Sequence, residues 1–210
     1  AKKALDAATA AATAAAAALT DTRRAAAERL VPLVSDELAF LDMEKVRFLT
    51  DIRPAALSAT GADAVEFLIS TNPGEEPKPI AKIASGGELA RIMLALKSVF
   101  ADSFGVQTVI YDEIDAGVSG KTARKIGIKL KTSARGTQTI CVTHSAQIAS
   151  LADRQLLIEK RVIDGRTETQ VSEITGDDRV REIARILGGV TVSETMRSSA
   201  RELIDEGKNY

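Results

Sequence analysis

The feature that most constrains this chain is the stretch from Val106 to Thr143, where two short β-branched runs, Val106 to Tyr111 and Thr139 to Thr143, flank a helix-patterned segment from Lys121 to Lys131. Strand, helix and strand in that order favour a parallel pairing with the helix as crossover, because parallel neighbours cannot be joined by a tight turn. The near-continuous apolar character of both runs fits central strands of an α/β sheet. Upstream, alternating residues at Val46 and Phe48 and at Val65, Phe67 and Ile69 predict two paired strands over 44–51 and 64–71, with turn formers around Gly61 and a loop over 72–79. Leu89, Ile92, Met93, Leu96, Val99 and Phe100 recur at helical spacing immediately after Ser85-Gly86-Gly87. Downstream, a third strand over 155–159 is followed by the Asp164-Gly165 turn signal and a return strand over 169–174. A helix through Val180, Ile183, Ala184 and Leu187 then stops at Gly188-Gly189, and Ser193 caps a last helix with Met196 and Leu203 inward.

Residues 1 to about 30 are alanine-rich, with sparse larger apolar residues at Leu5, Leu19 and Leu30 and no Gly or Pro before Pro32. High propensity with a thin apolar stripe describes either a peripheral helix on its own domain or the stump of a coiled coil, and the second is the expectation for residues 1–40. The chain starts inside this helical pattern, as a fragment does, and residues 41–210 are expected to form one lobe. Composition bounds the function. A formal net charge of -1 across 210 residues gives no broad electrostatic drive toward nucleic acid or membrane, so any DNA contact must be local. No apolar run approaches the ~20 residues needed to span a bilayer, and the single cysteine, Cys141, cannot form an internal disulfide, which together fit a cytoplasmic protein.

Three segments carry chemistry. The run Val109-Ile110-Tyr111 delivers Asp112 and Glu113 to the C-terminal end of a strand, the edge where open α/β sheets bind ligands. In a Walker B arrangement Asp112 holds Mg²⁺ and Glu113 polarises the water that attacks a γ-phosphate; an acidic strand end facing solvent is the plainer alternative. Ser85, Gly86 and Gly87 precede a helix start, where backbone N–H groups and the helix dipole suit a phosphate, although Ser85 as an N-cap with Glu88 in the first turn accounts for the same residues. Val142-Thr143-His144 ends the next strand and brings the only histidine to the same edge if the two strands are parallel neighbours. Cys141 is read as a small apolar residue facing the sheet, and a Cys-His protease has no support. Ser119-Gly120-Lys121-Thr122 imitates the end of a P-loop, but the position five residues before Gly120 is Asp115 rather than glycine, and the adjoining carboxylates would repel phosphates. No other segment offers a Walker A loop.

The order signature loop, helix, Asp112-Glu113 strand end, Asp115 and His144 strand end resembles the second half of an ABC-type ATPase head. Within that group the continuation Asp112-Glu113-Ile114-Asp115-Ala116-Gly117-Val118-Ser119-Gly120 resembles the RecN family of SMC-like proteins rather than a transporter or a Rad50-like head, where Asp-Glu-Pro is usual. Ser70-Thr71-Asn72-Pro73-Gly74-Glu75, the Ala84 to Lys97 stretch and Arg185-Ile186-Leu187-Gly188-Gly189 are similar to the same family, so the resemblance covers roughly 40–205. Ser145-Ala146-Gln147 departs from the leucine-proline pair often found after the histidine.

The resemblance implies an α/β fold: a partial ABC-type ATPase head, with a P-loop NTPase-like parallel sheet flanked by helices and an N-terminal coiled-coil helix. It implies a split head, in which an N-terminal lobe of the same protein supplies Walker A and a second head completes a homodimer. Glu113 and His144 would be catalytic, Asp112 would bind Mg²⁺, and Ser85, Gly86, Gly87, Glu88 and Asp115 would contact the ATP of the partner head in trans. The implied activity is ATP hydrolysis in recombinational repair of DNA double-strand breaks, associated with the nucleoid, and absent from this chain alone for want of Walker A. The alternatives are the head of another SMC- or Rad50-like ATPase, or a dimerisation module that does not hydrolyse nucleotide.

Overall fold

The computed structural model describes residues 1–82, 85–100, 105–163, 166–189 and 191–210. The chain divides into two compact units, Ala1–Phe100 and Ala101–Tyr210.

In the first unit a single helix, α1, runs from Lys2–Phe40. It continues through Pro32. Proline removes one backbone donor and crowds the preceding turn. Here the loss is offset by tertiary packing, since Val34 and Leu38, one turn apart just beyond the proline, are buried, and the Ser35 hydroxyl donates to the Val31 carbonyl at 2.8 Å. Buried or half-buried positions recur at 16, 20, 23, 27, 30, 31, 34 and 38, a stripe that packs on the unit's own sheet and second helix, while residues 1–15 are all exposed. Arg23 and Thr20 tie the helix to the sheet through Asp63, with Arg23 Nη1 at 3.0 Å and the Thr20 hydroxyl at 2.8 Å from Oδ2.

Strands β1 (Arg47–Ser58) and β2 (Gly61–Ser70) pair antiparallel from Arg47↔Ser70 to Pro54↔Asp63, with a register shift before Ser58↔Gly61. Both outrun the alternating segments seen in the sequence, β1 because its distal end is exposed and needs no apolar face, β2 because its half-buried start at residues 61–63 packs on α1 through a glycine and an ion pair. Pro54 is tolerated because β1 is the sheet's edge strand. Gly61 has φ +100°, and a Cβ there would lie 2.9 Å from Leu19 of α1, so both backbone and packing select glycine. The loop expected over 72–79 ends in β3 (Lys78–Pro79), which pairs with β2, followed by a 3₁₀ turn at Ile80–Lys82. Phe48, Ile69, Val34, Leu38 and Leu41 are buried in this unit, and the Phe48 and Phe67 rings lie 5.4 Å apart. Helix α2 (Gly86–Val99) adds buried Ile92, Leu94, Ala95 and Leu96.

In the second unit β4 (Thr108–Tyr111) and β5 (Gln138–Cys141) pair parallel in the register Thr108↔Gln138 to Tyr111↔Cys141, and α3 (Gly120–Ser133) is the crossover. The expectation that both are central strands is not met among the described residues, where each has one strand neighbour. Their apolar outer residues stay open to solvent: Ile110 is 67% exposed, and Val106, Ile140 and Val142 are also exposed. The third strand, β6 (Gln155–Ile163), forms a separate antiparallel ribbon with β7 (Arg166–Ile174), as the return-strand pattern indicated. The Asp164-Gly165 turn itself lies outside the described residues. One helical turn, α4 (Ala146–Ala149), follows β5. Helices α5 (Gly176–Gly188) and α6 (Glu194–Gly207) pack together around Ile183, Ala184 and Ala200, with Met196 and Leu203 turned toward them. Ser193 caps α6 by accepting from the Met196 N–H at 3.3 Å, and Gly189 ends α5 with φ +80°.

Candidate functional site: two sheet-edge loops and a helix start

The parallel pairing of β4 with β5 puts two loops on one edge. The hydrogen bond from Val142 N to the Tyr111 carbonyl (2.9 Å) extends the ladder one step, so Asp112 and Glu113 leave β4 beside the point where Thr143 and His144 leave β5. Asp112 and Glu113 are both exposed. Glu113 has φ +56°, a left-handed backbone that a non-glycine residue rarely adopts, and its carbonyl accepts from Ala116 N at 3.0 Å to close a tight turn. Ile114 is fully buried and anchors that turn.

The third residue of the turn joins the two loops. Asp115 is buried, its side chain 2% exposed, and Oδ2 accepts from the Thr143 hydroxyl at 2.5 Å and from the His144 backbone N–H at 3.1 Å. The His144 ring nitrogen Nδ1 stands 3.4 Å from the same oxygen, while the rest of the imidazole is open, at 85% exposure. Thr143 completes the link, since its hydroxyl also accepts from Ser145 N at 3.0 Å. Asp115 Oδ1 is buried without a partner among the described residues. Within this chain the described partners of the Asp115 carboxylate are Thr143 and His144. Thr143 was not singled out from sequence; the only signal was a hydroxyl at a strand end beside a histidine.

Cys141 behaves as the small apolar residue expected. Burial first, and then the charges of Asp115 and Asp112, push its thiol up to about 12, so it stays protonated and unreactive near neutral pH. Burial likewise pushes the Tyr111 phenol up to about 12. Among the described residues no cluster of three or more His, Cys, Asp or Glu side chains could cage an ion. One accessible carboxylate at Asp112 nevertheless fits Mg²⁺, which commonly takes one or two carboxylates and fills its remaining positions with water and phosphate oxygens.

Ser85, Gly86, Gly87 and Glu88 belong to the first unit. Ser85 is the N-cap of α2, its side chain accepting from the Glu88 N–H at 3.4 Å, with Glu88 in the first turn. Ser85 and Gly86 are exposed, Glu88 is half-buried and Gly87 is buried, so the start of the capped helix is open to an approaching anion at its first two residues. The capping and anion-binding readings are therefore compatible. Ser119 caps α3 in the same manner, accepting from Thr122 N at 3.3 Å, which gives the imitation P-loop an ordinary structural task.

No family model matches the chain. It is 42% identical over 193 residues to a DNA repair protein RecN of Halalkalibacterium halodurans, covering 90% of this chain and 34% of that protein. With the RecN of Streptomyces coelicolor it shares 44% identity over 216 residues, covering 97% and 38%. With that of Bacillus subtilis it shares 38% over 221 residues, covering 98% and 38%. Among solved structures it resembles an SMC ATPase described in connection with ATP-driven dimerization and DNA-stimulated activation, with a TM-score of 0.50 at 19% identity, covering 82% of this chain and 99% of that one. It also resembles the Smc head domain with coiled coil and joint from Pyrococcus yayanosii, with a TM-score of 0.52 at 19% identity, covering 86% and 29%. These likenesses establish an SMC-head fold, and the three sequence relatives share one name. At 38–44% identity over at least nine-tenths of its residues the chain belongs to the RecN family, and it spans little more than a third of the length of those relatives.

Proposed function

We infer that this chain is the C-terminal lobe of an SMC-like ATPase head that acts in DNA repair, and that it holds half of a composite active site. The observation that carries the reading is the single edge at which parallel β4 and β5 present Asp112, Glu113 and His144. Asp112 holds Mg²⁺, which offsets phosphate charge when bound. The exposed Glu113 carboxylate, aimed by its left-handed turn, takes the proton of the attacking water. As that water oxygen bonds to the γ-phosphorus, the bond from phosphorus to the bridging oxygen breaks and ADP departs. His144, open to solvent on its imidazole face, orients the γ-phosphate. Ser85, Gly86, Gly87 and Glu88 serve the other half of the cycle, with the capped α2 terminus meeting the nucleotide of a second head in trans.

The Walker A loop comes from an N-terminal lobe of the same protein, and DNA is engaged by the complete protein at the bacterial nucleoid. By itself the chain does not turn over ATP. The first 40 residues are the base of the coiled-coil arm, and residues 41–210 are the lobe. Glu113→Gln in the full-length protein is expected to preserve ATP binding and head dimerisation while slowing steady-state hydrolysis by ~10²-fold or more, since the amide cannot accept the proton. Unchanged turnover would remove Glu113 from the chemistry and favour a dimerisation module that does not hydrolyse nucleotide.

A further inference from the structure

Asp115 is an uneconomical choice if stability alone is at stake. Its carboxylate is nearly inaccessible, one oxygen carries all the described hydrogen bonds, and Oδ1 is left without a partner. A buried, half-satisfied carboxylate costs more than a well-packed apolar residue in the same space. What the carboxylate does achieve is geometric. It sits three residues after Asp112 on the turn anchored by Ile114, and it grips the Thr143 hydroxyl, the His144 backbone N–H and the near side of the His144 ring.

The far side of the same segment is fixed by close packing. A Cβ added at Gly127 of α3 would lie 2.5 Å from Leu151 Cδ1 and 3.2 Å from the Gln147 carbonyl, and one at Gly207 of α6 would lie 2.8 Å from the Ser150 carbonyl. Residues 147–151 are thus wedged between two helices that approach at glycine, while His144 itself is held by Asp115.

The geometry points to Asp115 as a positioning residue that acts within its own subunit, setting the separation between the Glu113 turn and the His144 imidazole through Thr143. This rests on the hydrolytic reading above. It assigns the residue a task different from contact with a partner's nucleotide.

The test is steady-state ATP hydrolysis by the full-length protein. Asp115→Ala is expected to lower kcat by about tenfold or more with KM for ATP changed less than about twofold. Asp115→Asn, which keeps an acceptor oxygen for Thr143 and His144, should recover most of that loss. Thr143→Val should reproduce the Ala phenotype and Thr143→Ser should not; this pair carries the test if Asp115→Ala does not accumulate as folded protein. In a His144→Ala background, Asp115→Ala should cost nothing further, because its route of action is already gone. An equal loss in both backgrounds, a rise in KM alone, or full activity of Thr143→Val would each overturn the positioning role. Should His144→Ala itself hydrolyse at the normal rate, the underlying site assignment fails and the positioning role falls with it, an outcome distinct from an active-site loss that bypasses Asp115.

Discussion

At φ +56°, Glu113 holds a backbone conformation that costs a non-glycine residue about 1–3 kcal/mol, and it does so at the one position assigned to proton transfer. Strain retained there fits the proton-transfer role proposed for Glu113. Glu113→Gly is therefore expected to leave the thermal midpoint unchanged or to raise stability by up to about 1 kcal/mol, while abolishing hydrolysis. Differential scanning calorimetry of the variant checks the first half; a clear loss of stability would mean that the turn is not strained. The sequence made Asp112, Glu113 and His144 visible, because a strand ending in two carboxylates and a neighbouring strand ending in a histidine can be read from order and spacing. It did not show that Asp115 and Thr143 bind each other, 28 residues apart. That meeting depends on a left-handed turn, and nothing in a glutamate announces positive φ. Ser85 was legible in both of its aspects, and the structure fills the capping one without closing off the other.

Elements were read most accurately where burial imposes a period. Helices α2, α3, α5 and α6 and the β4–α3–β5 order follow their apolar spacing. The extension of β1 to Ser58 escaped it, because an exposed ribbon end carries no alternation. Nor did spacing show that α1 lies along its own sheet from Ala16 onward. The cross-link at Asp63 gives that docking a pH dependence. The Thr20 hydroxyl first, and then Arg23 by hydrogen bond and charge with Arg24 assisting, hold the Asp63 carboxyl below its ordinary value, against the opposing effect of burial. A carboxylate with a depressed folded-state pKa contributes stability that is present above its unfolded value, 3.8, and is lost as pH falls through the lower folded value. Hydrogen-exchange protection along residues 16–30, relative to the intrinsic rate at each pH, is accordingly expected to fall below pH 3.8, and Asp63→Asn should produce part of that loosening at neutral pH. Equal protection of wild type and variant at pH 7 would show that apolar packing alone holds the helix.

At the scale of the whole molecule, the split head proposed above would give the exposed apolar residues a common task. Val106, Ile110, Ile140 and Val142 on β4 and β5 and their flanks, with Leu156, Ile158, Val162 and Val171 on the β6–β7 ribbon, are all exposed, and in that reading they are the surface that meets the N-terminal lobe. Mixing this chain with the separately produced N-terminal lobe is expected to generate ATP hydrolysis that neither part shows alone. Hydrolysis by the chain by itself would refute the composite site, and an inactive but stably bound mixture would point to a further requirement such as DNA. The long first helix adds a mechanical property. Its 39 residues span about 58 Å, and the contact from Ala16 to Leu38 holds roughly 33 Å of that length on the sheet and second helix. A ~1 Å adjustment across that contact tilts the rod by under ~2° and carries the free tip through only about 2 Å. The alanine-rich rod is thereby a stiff pointer, whose direction is set by the sheet on which it lies.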